Sequence, residues 1–236
     1  MADAARTPPL GPALLPATLE VTGTQRRLLT TAVELFAARG YHGVSVRDIA
    51  AAMGVRPSSL YAHYPSKEDL FSHLVFIANE QIQQALLAAL LECGPAPADQ
   101  LSALVHSYVA FHAEHPLLAT IGHNDLHVLT GEDLHRVTRL RRDASNLFRK
   151  VIERGNQTGD FTSPTPWLTV AAIAGMGIRL ASWYRAPDHP ADPTAPTDHY
   201  ASDVQDWPIP SFDVETVADT YAEFALAMVR YRQASA

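Results

Sequence analysis

The chain has 236 residues, 47% of them apolar, and 18 Lys and Arg against 25 Asp and Glu for a formal charge of −7. That is enough apolar material for a core in one large domain or two modest ones, which excludes a wholly disordered chain. The lone cysteine, Cys93, excludes an intramolecular disulfide framework and a cysteine-rich zinc site, and it fits a reducing cytoplasm.

The apolar run 168–178 is too short to cross a bilayer, and no basic start followed by a long apolar stretch marks a secretory signal, so no membrane partner is expected. Residues 1–23 read as a disordered tail, because Pro8, Pro9, Pro12 and Pro16 break any helix. From Thr24, an expected N-cap, Leu28, Leu29, Ala32, Val33 and Phe36 recur on one helix face as far as Gly40. Ser45 with Asp48 three residues on reads as a capping pair opening a short helix that Gly54 ends. Pro57 suits the first position of the next helix, expected to run to Tyr64 before Pro65. Ser66 should cap a long helix from Lys67 to about Leu91.

Past the break at 94–97, helices are expected near 98–114, 116–126, 131–156, 165–185 and 213–232, with a loop at 186–211 that holds six prolines. The fold class is therefore all-α, with neither a repeat nor a convincing strand. Two short helices about a Gly turn, over 45–64, form a helix-turn-helix pattern. Ile49, Ala50, Met53, Val55 and Leu60 would pack between them and leave the second helix free to enter a major groove.

The runs 35–50 (LFAARGYHGVSVRDIA), 53–55 (MGV) and 59–70 (SLYAHYPSKEDL) together resemble the DNA-binding domain of the TetR family of transcriptional regulators. The resemblance spans residues 24 to about 72. It implies a three-helix DNA-binding domain at 24–70 and a ligand-binding and dimerisation domain at 71–236. It also implies a homodimer on a double-stranded, palindromic operator, and a small-molecule effector. By similarity Ser58, Ser59 and Tyr61 face the groove and its flanking phosphates, with His63 and Tyr64 close by. Arg56 would reach a base edge or phosphate, Ser45 and Arg47 one backbone strand, and Lys67 a phosphate beside a helix N-terminus. The charge pattern agrees: residues 24–70 carry +2 and the remainder beyond them −8.

The body holds a local +5 between 134 and 154, where Arg136, Arg139 and Arg142 share one helix side. One reading is a solvated face with pairs such as Arg139–Asp143; the other is a rim for an anionic ligand. The segments 179–185 (RLASWYR) and 217–222 (VADTYA) resemble TetR-type regulators of acyl-CoA catabolism, although Ala186 separates Arg185 from Pro187 and the linking loop is longer. That resemblance implies a ligand site with Arg136, Arg139, Arg179 and Trp183. The expectation is a repressor released by a small hydrophobic or acyl-CoA-type effector; the alternative is a drug- or antibiotic-sensing repressor of an efflux or resistance gene.

The helices at 165–185 and 213–232 are the expected dimer elements, with Gly175 and Gly177 permitting close approach. His123 and His127 have a spacing that can bind metal on a helix, but no metal or cofactor is expected, since scattered helical histidines usually serve surfaces and pockets. No phosphate loop, nucleophile elbow or His-Glu-x-x-His motif points to an enzyme.

Overall fold

In a computed structural model, residues 14–184 and 212–230 are described. The expected loop 186–211 lies outside the described residues. Nine α-helices and one 3-10 turn make up the described regular structure, and the described residues contain no strand.

Helix α1 (Gly23–Arg39) is capped by Thr22, whose hydroxyl accepts from Gln25 N; the expected cap at Thr24 is thus two residues late. Its buried face is the expected one: Leu28, Leu29, Ala32, Val33 and Phe36. α2 (Val46–Met53) opens with the expected capping box, in which Ser45 accepts from Asp48 N and Asp48 accepts from Ser45 N. Gly54, left-handed at φ 67°, closes α2, with Val55 N bonded back to Ala50 O and Gly54 N to Ala51 O. α3 (Pro57–Tyr61) is only five residues long, shorter than expected, because Ala62 ends it with a tightened turn. These helices pack through Ile49, Ala50, Met53 and Leu60, all buried.

The segment 14–22 is not the free tail expected. Leu15 is buried, Leu14, Leu19 and Val21 pack on the core, and Arg26 donates to Pro16 O and Leu19 O at 3.2 and 2.6 Å. Apolar residues between the prolines found a surface to cover, which proline spacing alone does not reveal.

α4 (Lys67–Glu92), capped by Ser66, runs from head to body. Phe36, Tyr41 and Phe71 meet edge-on or offset at 5.0–6.1 Å between α1 and α4, which fixes the head on this axis. By length and composition α4 could cross a membrane, but here it is the helix on which α5, α6 and α7 pack. The body adds α5 (Pro97–Glu114), α6 (Pro116–His123), a 3-10 turn at Leu126–Val128, α7 (Gly131–Thr158), α8 (Pro166–Trp183) and α9 (Val214–Arg230). α6 ends earlier than expected, at Asn124, and the left-handed Asp125 (φ 51°) reverses the chain. Gly177 lets α8 lie on α5: a Cβ there would meet Tyr108 Cε1 at 2.2 Å.

Candidate nucleic-acid interface and effector cavity

The head presents Ser45, Arg47, Arg56, Ser58, Ser59, Tyr61 and His63 to solvent. They cluster at the N-terminus of α2 and along α3, so one surface carries both a helix N-terminus and two guanidinium groups. Tyr61 is 52% exposed although aromatic. A large exposed aromatic at the end of a short helix that carries two serines is suited to stacking or hydrogen bonding with a partner. Tyr41 and Leu60, by contrast, are core residues, as expected.

Two residues expected at this surface are engaged inside the protein. The Lys67 ammonium donates to Tyr41 O at 3.0 Å and Val44 O at 2.9 Å, and lies 3.9 Å from the Tyr41 ring centroid. It stitches the α1–α2 turn to α4, which leaves one N–H and the positive charge for a phosphate. Tyr64 is half-buried. Gln25 donates to its hydroxyl at 3.4 Å, and that hydroxyl shares a second hydrogen bond with His73 Nδ1 at 2.5 Å. Burial, with the Arg136 charge second, holds the His73 pKa below its usual value and favours the neutral ring. Arg27 likewise turns inward and donates to Met53 O at 2.8 Å.

Within the body, a cavity of about 80 Å³ lies among α4, α5, α6, α7 and α8. Ile82, Leu86, Phe148, Val170 and Ile173 form its apolar wall, and Asn79, Tyr108, His123, Arg141 and Ser145 supply polar groups. Arg141 is partly buried, donates to Gly122 O at 3.4 Å, and is the arginine that lines this cavity. The four expected ligand residues are elsewhere. Arg136 lies 4.2 Å over the Phe76 ring, beside a polar groove of about 390 Å³ shared with Tyr64, Asp69, His73 and Asp133. Arg139 and Arg179 are exposed and do not line the cavity. Trp183 sits at the end of α8, half-buried against the core, with its ring 6.2 Å from that of Tyr184.

The helical period placed Arg136 and Arg139 together correctly. It could not say that the neighbouring stripe through Arg141 faces inward. The rest of the basic helix is largely internal pairing: Arg149 with Glu153 at 2.6 Å, Arg142 with Asp143 at 3.5 Å, and Arg154 on Pro95 O and Gln100. The expected Arg139–Asp143 pair gives way to Arg142–Asp143.

His123 pairs with His112, and not with His127. Their Nε2 atoms are 3.1 Å apart and the rings lie 15° from parallel, while His127 stacks on His42 of the head at 6.0 Å. Among the described residues there is no group of three side chains fit for a metal. Burial first, and for His123 the charges of His112 and Arg141 next, lowers both pKa values, so both imidazoles are neutral near pH 7.

The cavity wall reaches the head. Two residues after His123, the Asp125 carboxylate accepts from Tyr41 N at 3.1 Å, at the α1–α2 turn. No sequence period links positions 84 residues apart.

Together, the exposed short helix of the head and the enclosed helical body define a helix-turn-helix transcriptional regulator. Residues 28–74 match the model for bacterial regulatory proteins of the tetR family, and residues 94–204 the tetracyclin repressor-like C-terminal domain. The chain belongs to the TetR family, whose members are transcriptional regulators that bind operator DNA as dimers.

The HTH-type transcriptional repressor KstR2 of Rhodococcus jostii is 32% identical over 146 residues, 60% of this chain and 70% of the relative. A tetR-family regulatory protein from Rhodococcus RHA1 superposes with a TM-score of 0.74 at 28% identity, over 90% of this chain and all of the other. The fold is shared too with AibR, solved with isovaleryl coenzyme A and operator DNA, at a TM-score of 0.64 and 19% identity over 87% of this chain and 97% of that one.

Proposed function

We propose that the protein is a repressor whose grip on its operator is released by an apolar or acyl-CoA-type effector entering the cavity beside Arg141. The observation that carries this reading is the joint position of that cavity. It holds a desolvated cation in an apolar wall, and its α6 side ends on Asp125, the residue bonded to the head. A cation in a low-dielectric wall is costly unless a ligand oxygen uses it.

At about 80 Å³ the cavity admits only a few heavy atoms, so a larger effector must part α7 and α8 from α4. Movement of that wall displaces α6 and the Asp125–Tyr41 contact, and with it the angle of the head. A protein of the same fold holding both isovaleryl coenzyme A and operator DNA supports an acyl-CoA. The alternative, a drug- or antibiotic-sensing repressor of an efflux or resistance gene, would use the same apolar wall without needing Arg141.

At the DNA, Arg47 and Arg56 serve phosphates or a base edge, and Ser45, Ser58, Ser59, Tyr61 and His63 line the groove contact. Residues 24–70 form the reader, with α4 continuing from it into the sensor and dimerisation region. Two heads are brought to a palindromic site by α8 and α9, where Trp167, Leu168, Ile178 and Phe224 are exposed. That much exposed apolar surface on adjacent helices suits a second copy.

The test is fluorescence anisotropy on DNA upstream of the protein's own gene, with acyl-CoA thioesters, free acids and cationic drugs. Release by thioesters that R141M weakens and that A174W, at another residue of the cavity wall, blocks, with operator binding intact in both, is the expected result. Release unaffected by A174W would place the effector elsewhere.

A further inference from the structure

The polar end of the cavity is biased in a way that selects one kind of chemical group. His112 is fully buried, and its Nδ1 lies 2.7 Å from Tyr108 O. A carbonyl only accepts, so the proton of neutral His112 is on Nδ1 and its Nε2 is a bare acceptor. The 3.1 Å contact between the two Nε2 atoms then requires the proton of His123 to be on Nε2. His123 Nδ1 is left as a lone pair. Although the residue as a whole is partly exposed, that atom is enclosed and has no hydrogen-bond partner.

The groups beside it do not supply one. Both amide hydrogens of buried Asn79 are spent, on Val75 O at 2.8 Å and Gly122 O at 3.3 Å. Arg141 donates to the same Gly122 O, next in sequence to His123. A backbone carbonyl and a guanidinium therefore sit together at Gly122, with an unsatisfied imidazole acceptor on the following residue. An unmet buried acceptor costs about 1–3 kcal/mol, which a suitable donor recovers on binding.

We propose, building on the cavity as effector site, that the effector carries a neutral hydroxyl that donates to His123 Nδ1 while its oxygen accepts from Arg141. A carboxylate satisfies the cation but turns a lone pair towards the imidazole lone pair. An ether or thioester oxygen accepts from Arg141 and has nothing to give, so in an acyl-CoA the donor is a hydroxyl on the acyl chain. An alcohol or phenol on an apolar skeleton serves both. His123 thus acts as a specificity determinant, and His112 as the positioning residue that sets its tautomer.

The test uses four probes of similar size on the full-length protein: phenol, anisole, toluene and benzoate, titrated by calorimetry. A pocket that only excludes water prefers toluene, since phenol loses its hydration on entry. The proposal expects phenol to bind about fivefold or more tighter than toluene and anisole, and H123F to invert that order while still binding toluene. The double variant H112F/H123F, which removes both partners at once, serves if H123F does not fold.

Independently, 15N spectra of the histidines should show His112 protonated at Nδ1 and His123 at Nε2. Phenol should then move the His123 Nδ1 signal in the sense of an accepted hydrogen bond. Toluene binding as well as or better than phenol in the wild type, or an Nδ1 signal unmoved by phenol, overturns the hydroxyl proposal and leaves the cavity standing. Failure of the wild type to bind phenol also overturns the hydroxyl proposal, and if thioester release of operator is unaffected by A174W the effector-site reading falls with it.

Discussion

Gly175 and Gly177 lie two residues apart on α8, and the structure assigns them opposite responses to one added methyl group. At Gly177 the new Cβ would stand 2.2 Å from Tyr108 Cε1 and 2.5 Å from Cδ1. Carbon atoms rest at about 3.5–4.0 Å, so one partner must retreat by more than about 1 Å. The Tyr108 ring has little room, with the His112 ring centred 4.3 Å away and the Phe148 ring at 6.0 Å. Overpacking of this sort costs about 1–3 kcal/mol, and replacing a helical glycine by alanine returns about 1 kcal/mol.

For G177A the upper part of that range applies, for a net loss of about 2 kcal/mol and a Tm lower by about 4–8 °C. Gly175 has no atom within 4 Å of its Cβ position. G175A should therefore raise the stability of the chain by up to about 1 kcal/mol through helix propensity alone. The same methyl projects from the exposed side of α8 that bears Trp167, Leu168 and Ile178, so it should weaken the dimer. Urea unfolding and sedimentation equilibrium on both variants check this. A G177A protein as stable as the wild type would refute the close α8–α5 packing. An unchanged dimer dissociation constant in G175A would remove residue 175 from the subunit contact.

Other perturbations test separate parts of the scheme. R47A should weaken operator binding for all sequences alike and reduce the slope of log K against log salt by about 0.9, and an unchanged slope would take Arg47 off the phosphates. D125A loses the bond to Tyr41 N and places alanine in a left-handed conformation, which together cost about 2 kcal/mol. Operator affinity should persist while the affinity ratio with and without effector shrinks, and D125N, which keeps an acceptor and tolerates that backbone, should behave as the wild type does.

The histidine pair predicts a pH dependence. Both folded-state pKa values lie below the unfolded value of about 6.5, so the unfolded chain binds more protons as pH falls. Stability is therefore flat above that value and declines below it, by up to about 1.4 kcal/mol per pH unit per histidine. Tm measured from pH 7.5 to 5 should fall less steeply in H112F/H123F than in the wild type, and parallel curves would contradict buried neutral imidazoles.

What local chemistry controls was legible along the chain. The capping pair at Ser45 and Asp48, the glycine stop at Gly54, Pro57 at a first helical position and the apolar stripe from Leu28 to Phe36 each act within a turn or two. They specified the head, and the family resemblance carried by residues 35–70 follows from them. Partnership between distant helices is a different matter. A period of 3.6 says that Arg136 and Arg139 share a side, but only the packing of α7 on α4 and α8 decides that Arg141 is the arginine turned to the cavity. That Lys67 also ties the head together depends on the α1–α2 turn bringing two carbonyls within 3.0 Å of its ammonium. His123 finds His112 across the α5–α6 corner and not His127 four residues on, because α6 ends at Asn124 and Asp125 turns the chain back to the head. Burial and hydrogen-bond pairing depend on which surfaces meet, and that is settled by the summed packing of the described helices rather than by any one of their sequences.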